Sequence, residues 1–212
     1  MKHDDAELPA CPPRLRPMTY LAAFAVAFTV SQTSLADGDH VTPPNVPPSL
    51  EVPAENTPFR EGAAIGTQDY ICLPSSSGFA WTFFGPEATL FDKRDQQIIT
   101  HFLSPNPFEN GTPRATWQDS EDSSKIWGLT VASQTVQPDA IPSLLLRVVG
   151  AKNGPTGGSK LSATTFVQRV NTVGGVAPST GCTTSQDVGQ IALVPYSADY
   201  FFYQAIKSIS SR

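Results

Sequence analysis

Few side chains in this sequence combine the type and spacing that chemistry demands, and histidine is the scarcest among them. Of the three, His3 lies in the N-terminal segment that reads as a removed leader, His40 lies in a proline-rich stretch, and His101 sits in an apolar run between Thr100 and Phe102. An imidazole titrates near neutrality, which makes His101 the candidate general base. It lacks the usual company. No Gly-x-Ser-x-Gly elbow is present, and the serines fall in turn-like segments. A hydrolase or isomerase would have to draw on His101, Asp69 and Arg169 in the mouth of a barrel. A metal centre needs three or four converging nitrogen, sulfur or oxygen donors, which two distant histidines do not supply. No metal, no cofactor and no catalytic residue is assigned.

Two loops resemble ligand sites without completing one. Asp119-Ser120-Glu121-Asp122-Ser123-Ser124 gathers three carboxylates, as a calcium loop would. It lacks the glycine and the distal bidentate Glu of an EF-hand loop, and reads as a solvated hairpin turn. Residues 152–160 (KNGPTGGSK) lack the Gly-Lys-Ser/Thr ending of a phosphate loop and no helix pattern follows, so they form a hairpin loop. Aromatic rings are the better resource: Trp81, Trp117 and Trp127 stand with Phe83, Phe84, Tyr196 and residues 200–203 (YFFY). Rings on a sheet face stack on sugars or apolar molecules, and polar neighbours such as Gln68 and Arg169 fix orientation. The same rings also fill β cores, which is the favoured use here, and at least one of Phe83 and Phe84 must face inward. Gln68, Trp81, His101, Trp117 and Arg169 are the candidate ligand-binding residues, for a small molecule or a glycan.

These residues must be positioned by strands. From residue 66 onward, runs rich in Val, Ile, Thr and aromatics alternate with turn signals: 67–73, 80–84, 88–91, 98–103, 115–118, 126–132, 144–149, 162–173, 190–194 and 199–204. The pattern predicts an all-β single domain, a sandwich or barrel of about nine or ten strands with little helix. The best helical stretches are a turn around 141–145 and the tail from 200 to 209. Alternation places Gln68, Tyr70 and Cys72 on one face of their strand, with Asp69 and Ile71 on the other. Arg169, set between apolar neighbours, is expected either at a rim or paired in the interior.

The N-terminal segment reads as a secretory signal over residues 1–36. Arg14 and Arg16 supply charge, residues 21–30 (LAAFAVAFTV) form a short apolar run, and Ser34 and Ala36 precede cleavage at Asp37. That run is half of the ~20 residues needed to span hydrocarbon. Asp4, Asp5 and Glu7 are odd in a leader, which makes Met18 the alternative start. Residues 8–11 (LPAC) mimic a lipoprotein box but have no apolar segment before Cys11. Residues 37–58 then hold six prolines and form an arm or linker, disordered or laid along the domain surface.

Export bounds the rest. The leader carries three basic and three acidic residues, so the net charge of −5 is unchanged by its removal. Mild acidity without a basic cluster argues against nucleic acid as a partner, and cleavage leaves no stable membrane insertion. The destination is the periplasm or the extracellular medium. Cys72 and Cys182 remain, 182 − 72 = 110 residues apart, and two cysteines in an oxidising compartment are expected to pair.

Read in order, several blocks resemble a known family. They are residues 66–72 (GTQDYIC), 81–91 (WTFFGPEATLF), His101-Phe102 with Trp117, 141–146 (IPSLLL), 168–172 (QRVNT) with 174–178 (GGVAP), Gly181-Cys182, and 194–200 (VPYSADY) with Tyr203. The resemblance is to the DUF3455 domain family, uncharacterised secreted proteins of bacteria and fungi, and covers residues 62–203. Where members often carry Trp after Ile-Pro, this chain has Ser143. Some relatives bear a malate dehydrogenase name, but no Gly-x-Gly-x-x-Gly opens a βαβ unit here. The resulting division is a signal peptide (1–36), a proline-rich arm (37–58), a DUF3455-like β domain (59–206) and a tail (207–212). The domain is read as a binding or envelope-associated protein. A hydrolase or isomerase, and a structural or adhesive surface protein tethered by the arm, are the alternatives.

Overall fold

A computed structural model describes residues 41–207. The leader, with Cys11, and His40 lie outside the described residues, as does the tail beyond residue 207. Eight antiparallel strands follow one another in chain order: β1 (Asn56–Ser75), β2 (Gly78–Phe91), β3 (Gln97–Asn106), β4 (Thr112–Asp119), β5 (Lys125–Gln134), β6 (Ser143–Lys152), β7 (Thr164–Gly174) and β8 (Ile191–Ala205). Each pairs with the next, and β8 pairs back on β1, which closes the sheet into a barrel. Closure removes the free edges that an open sheet would expose. Helix is confined, among the described residues, to three short 3-10 turns at Pro48–Leu50, Pro107–Glu109 and Ser185–Asp187. None is long and apolar enough to cross a membrane.

The expected nine or ten strands are eight because two pairs of runs are continuous. Residues 80–84 and 88–91 are both β2, which passes through Pro86 just outside the β2–β3 ladder that starts at Glu87↔Phe102. Residues 190–194 and 199–204 fall on β8, which passes through Pro195. The Pro195 carbonyl accepts from Gly175 N at 2.9 Å, beyond the end of β7. A strand residue's N and O face the same neighbour, so the donor missing at Pro195 faces that same open end. The two helical stretches are corrected as well: residues 143–145 belong to β6 and 200–205 to β8.

The barrel interior is filled by side chains that alternate along each strand. Trp117, Tyr200 and Phe202 occupy its centre with ring centroids about 6 Å apart, in edge-on arrangements. Small residues on β1, β2 and β8 (Ala64, Ala88 and Ala198) leave them room. At Gly66 a Cβ would lie 2.1 Å from the Glu87 carbonyl oxygen, so only glycine permits this approach of β1 to β2.

Outside the barrel, the proline-rich segment is laid along the wall. Leu50 is fully buried, and its carbonyl accepts from Gln168 Nε2 at 2.8 Å. Val41, Val46 and Val52 pack on Val170, Phe201 and Tyr203. This explains why residues 200–203 read both as part of a strand and as the start of a helical tail: Tyr200 and Phe202 face inward while Phe201 and Tyr203 face the arm. A strand buried on both faces loses the alternation that identifies it. The last arm residues, Asn56 to Pro58, are already β1.

The acidic run at 119–124 is the hairpin turn expected between β4 and β5, but it is solvated only in part: Asp119 and Ser124 are buried while Ser120 and Glu121 are exposed. Asp119 is 1% exposed, accepts from the N–H of Glu121 and Asp122, and pairs with Arg60 at 2.8 Å. Asp122 accepts from Ser124 N and from Lys160 N, which ties this turn to the loop between β6 and β7. Burial pushes its carboxyl up, but these bonds outweigh that effect and draw it down to about 2. Glu121 pairs with Lys160 at the surface.

Candidate functional site

Every strand sends at least one residue to a single cavity of about 330 Å³ in the barrel. Gln68 comes from β1, Phe83 from β2, His101 from β3, Trp117 from β4, Arg169 from β7 and Tyr200 from β8. Leu144 and Leu146 of β6 and residues 128–130 of β5 complete the wall. Phe83 and Leu103 are 49% and 38% exposed, and form an apolar lip where the cavity meets solvent.

A bulge shapes that lip. The β1–β2 register slips between Asp69↔Gly85 and Tyr70↔Phe83, so Phe84 has no partner on β1. The slip corrects the expectation that Phe83 or Phe84 is core, because both are about half exposed. Bulges commonly re-aim side chains at barrel rims.

Four of the five candidate ligand residues therefore meet. Gln68, His101, Trp117 and Arg169 share the cavity, and Trp81 does not. The Trp81 indole N–H donates to the Thr180 carbonyl at 2.8 Å, beside the Cys72–Cys182 disulfide, whose Cα atoms are 5.5 Å apart. Its role is to hold the β7–β8 connection against β1 and β2.

His101 is stacked on Trp117 with centroids 4.5 Å apart and 6° between planes. Its Nδ1 lies 2.8 Å from the Thr116 carbonyl, which can only accept, so Nδ1 carries the proton and Nε2 is left as an acceptor. Burial drives its pKa down to about 3; the Thr116 bond opposes this, and the nearby Arg169 charge adds to it. A neutral ring with so little basicity makes a weak general base. Asp69 does not join it: it is buried, but it is not part of the cavity wall.

Arg169 corrects another expectation, being neither at a rim nor paired with an acid. It is 7% exposed, and its Nε and Nη2 both donate to the Pro142 carbonyl, at 3.2 and 2.8 Å. Nearby, Tyr70 donates to the Gly175 carbonyl at 2.7 Å, and the Tyr196 and Tyr200 hydroxyls lie 3.3 Å apart. Burial pushes the Tyr196 phenol well above its ordinary range, reinforced by Tyr200.

Two buried polar atoms on the lining residues, Gln68 Oε1 and Trp117 Nε1, have no protein partner. Leu103, Leu144, Leu146 and Tyr200 were not singled out as site residues in the sequence. Their strand alternation was legible, but which face is lumen and which end is open depends on closure.

A family model described as "Protein of unknown function (DUF3455)" matches residues 53–204. The chain belongs to the DUF3455 family. No curated protein and no solved structure matches it. The DUF3455 match begins inside the proline-rich segment and runs almost to the end of β8, so it takes in the whole cavity wall. Its sheet is antiparallel throughout, which gives a dehydrogenase-type βαβ unit no place among the described residues.

Proposed function

We propose that this DUF3455 protein is an exported binding protein that holds one small, mostly apolar molecule in the mouth of its barrel. The observation that carries the reading is the wall itself. All eight strands converge on a cavity lined mostly by apolar side chains, with Gln68, His101 and Arg169 as polar residues among them. Eight-stranded barrels have an interior of the size that holds one small ligand. The volume sits at the small end of ligand pockets, roughly 300–1,000 Å³. Export is supported by the leader-like N-terminus and by the Cys72–Cys182 bridge, since disulfides persist in oxidising compartments.

The experiment is a cavity block. Leu144→Trp fills the lumen from β6 while leaving the outer wall intact. In a screen of small apolar molecules and glycans read by tryptophan fluorescence, hits on the parent protein should be lost in this variant, with its circular dichroism unchanged. Hits that bind the blocked protein equally well would place recognition elsewhere and end this reading.

A further inference from the structure

The arginines of this barrel divide unevenly. Arg60 pairs with Asp119, Arg94 with Asp92, and Arg114 with Glu109 through two bonds of 2.8 and 2.9 Å. Arg147 is exposed. Arg169 alone, among the described residues, is buried with no carboxylate at ion-pair distance. A guanidinium carries five N–H donors. Two of those on Arg169 go to the Pro142 carbonyl, and the other three have no acceptor among the described residues.

Burying a cation without a counter-charge is costly, and proteins normally avoid it by pairing. The cavity offers Arg169 no relief from within the chain: no Asp or Glu is part of its wall. Arg114, the other cation there, is already neutralised by Glu109. Asp69 is the buried carboxylate of this region and is felt by Tyr196, yet it stays beyond ion-pair distance of Arg169. The charges of Arg169 and of the Asp69 side chain are thus held apart, and only Arg169 faces the lumen.

Resting on the binding role above, we propose that the molecule held in the barrel is a small organic acid. Its carboxylate docks on the free edge of the Arg169 guanidinium, and its apolar body lies against Phe83, Leu103, Leu144 and Leu146. The planar fork of arginine matches a carboxylate through two parallel bonds.

The test uses matched acid and alcohol probes on the disulfide-bonded protein: 3-phenylpropionate against 3-phenyl-1-propanol, and octanoate against 1-octanol. Affinities come from calorimetry, and the site from amide and indole shifts in NMR spectra. Each acid is expected to bind about ten- to a hundredfold tighter than its alcohol, the range of a bond to a charged group. The preference should vanish in Arg169→Gln and survive in part in Arg169→Lys. Alcohols that shift the cavity residues as strongly as the acids would overturn the anionic head and leave the binding role standing. If none of the four probes shifts Gln68, Trp117 or Arg169, the acid proposal falls, and the fluorescence screen then decides the binding role separately. Should Arg169→Gln fail to fold, the acid–alcohol comparison on the unmodified protein still decides the question.

Discussion

At the scale of the residue, His101 shows how burial changes chemistry that composition alone suggests. The ring is 2% exposed, stacked on Trp117 and bound to a backbone carbonyl, and it is neutral at physiological pH. Its folded pKa of about 3 lies below the ordinary 6.5, so the unfolded chain takes up the proton first as pH falls. Stability contributed by the neutral ring is therefore complete above pH 6.5 and is lost progressively between there and about pH 3. The full loss amounts to about 5 kcal/mol at most. His101→Gln keeps a side chain that donates to the Thr116 carbonyl and removes the titration. Urea midpoints at pH 7, 6, 5 and 4 should fall for the parent protein and stay nearly level for the variant above pH 4.5. Parallel slopes would show that His101 does not govern acid sensitivity. Below that range Asp122 acts in the same direction, because its depressed carboxyl stabilises the fold only while ionised.

At the scale of the element, the proline-rich segment is part of the wall and not a separable tether. It gives the outer face of β7 and β8 the apolar cover that Val170, Phe201 and Tyr203 require. Tyr203 also donates to Gln168 Oε1 at 3.0 Å, while Gln168 Nε2 holds the Leu50 carbonyl, so arm and barrel share one hydrogen-bond chain. Leu50→Ala should lower stability by about 2–5 kcal/mol, as deletion of a fully buried leucine does. The urea midpoint measures it; an unchanged midpoint would mean the arm contributes only reach. The disulfide works toward the other end of β1 and β8, joining β1 to the long connection at residues 175–190. A loop of 110 residues closed in this way is worth roughly 4–5 kcal/mol in the chain-entropy model.

At the scale of the molecule, closure is what makes a cavity. Eight strands in simple succession bring residues from Gln68 to Tyr200 onto one wall, although nothing local joins them. The Cys72–Cys182 bridge is compatible with the proposed export, which rests on the leader read at residues 1–36. Expressed in a secreting host, the protein should be recovered outside the cytoplasm with Asp37 as its first residue by mass spectrometry. Recovery in the cytoplasm with residues 1–36 attached would remove the basis for export.

The sequence by itself determined the all-β class, the bridged cysteine pair and the family, and it offered candidate residues without showing that they share a wall. Those features are written in local alternation, turn residues and residue chemistry. It miscounted the strands because Gly85-Pro86 and Pro195 look like breaks, whereas β2 and β8 run on through them. It placed 199–204 in a strand but also offered the tail from residue 200 as a helix, because alternation vanishes when both faces are buried. It set Trp81 with the ligand residues because an indole looks alike on either end of a strand. Only the tertiary structure decided that Gln68, His101, Trp117 and Arg169 meet, and that Arg169 is buried without an acid partner. The reason is physical: a lumen and its charge balance are properties of strands far apart in the chain, and they exist only once β8 closes on β1.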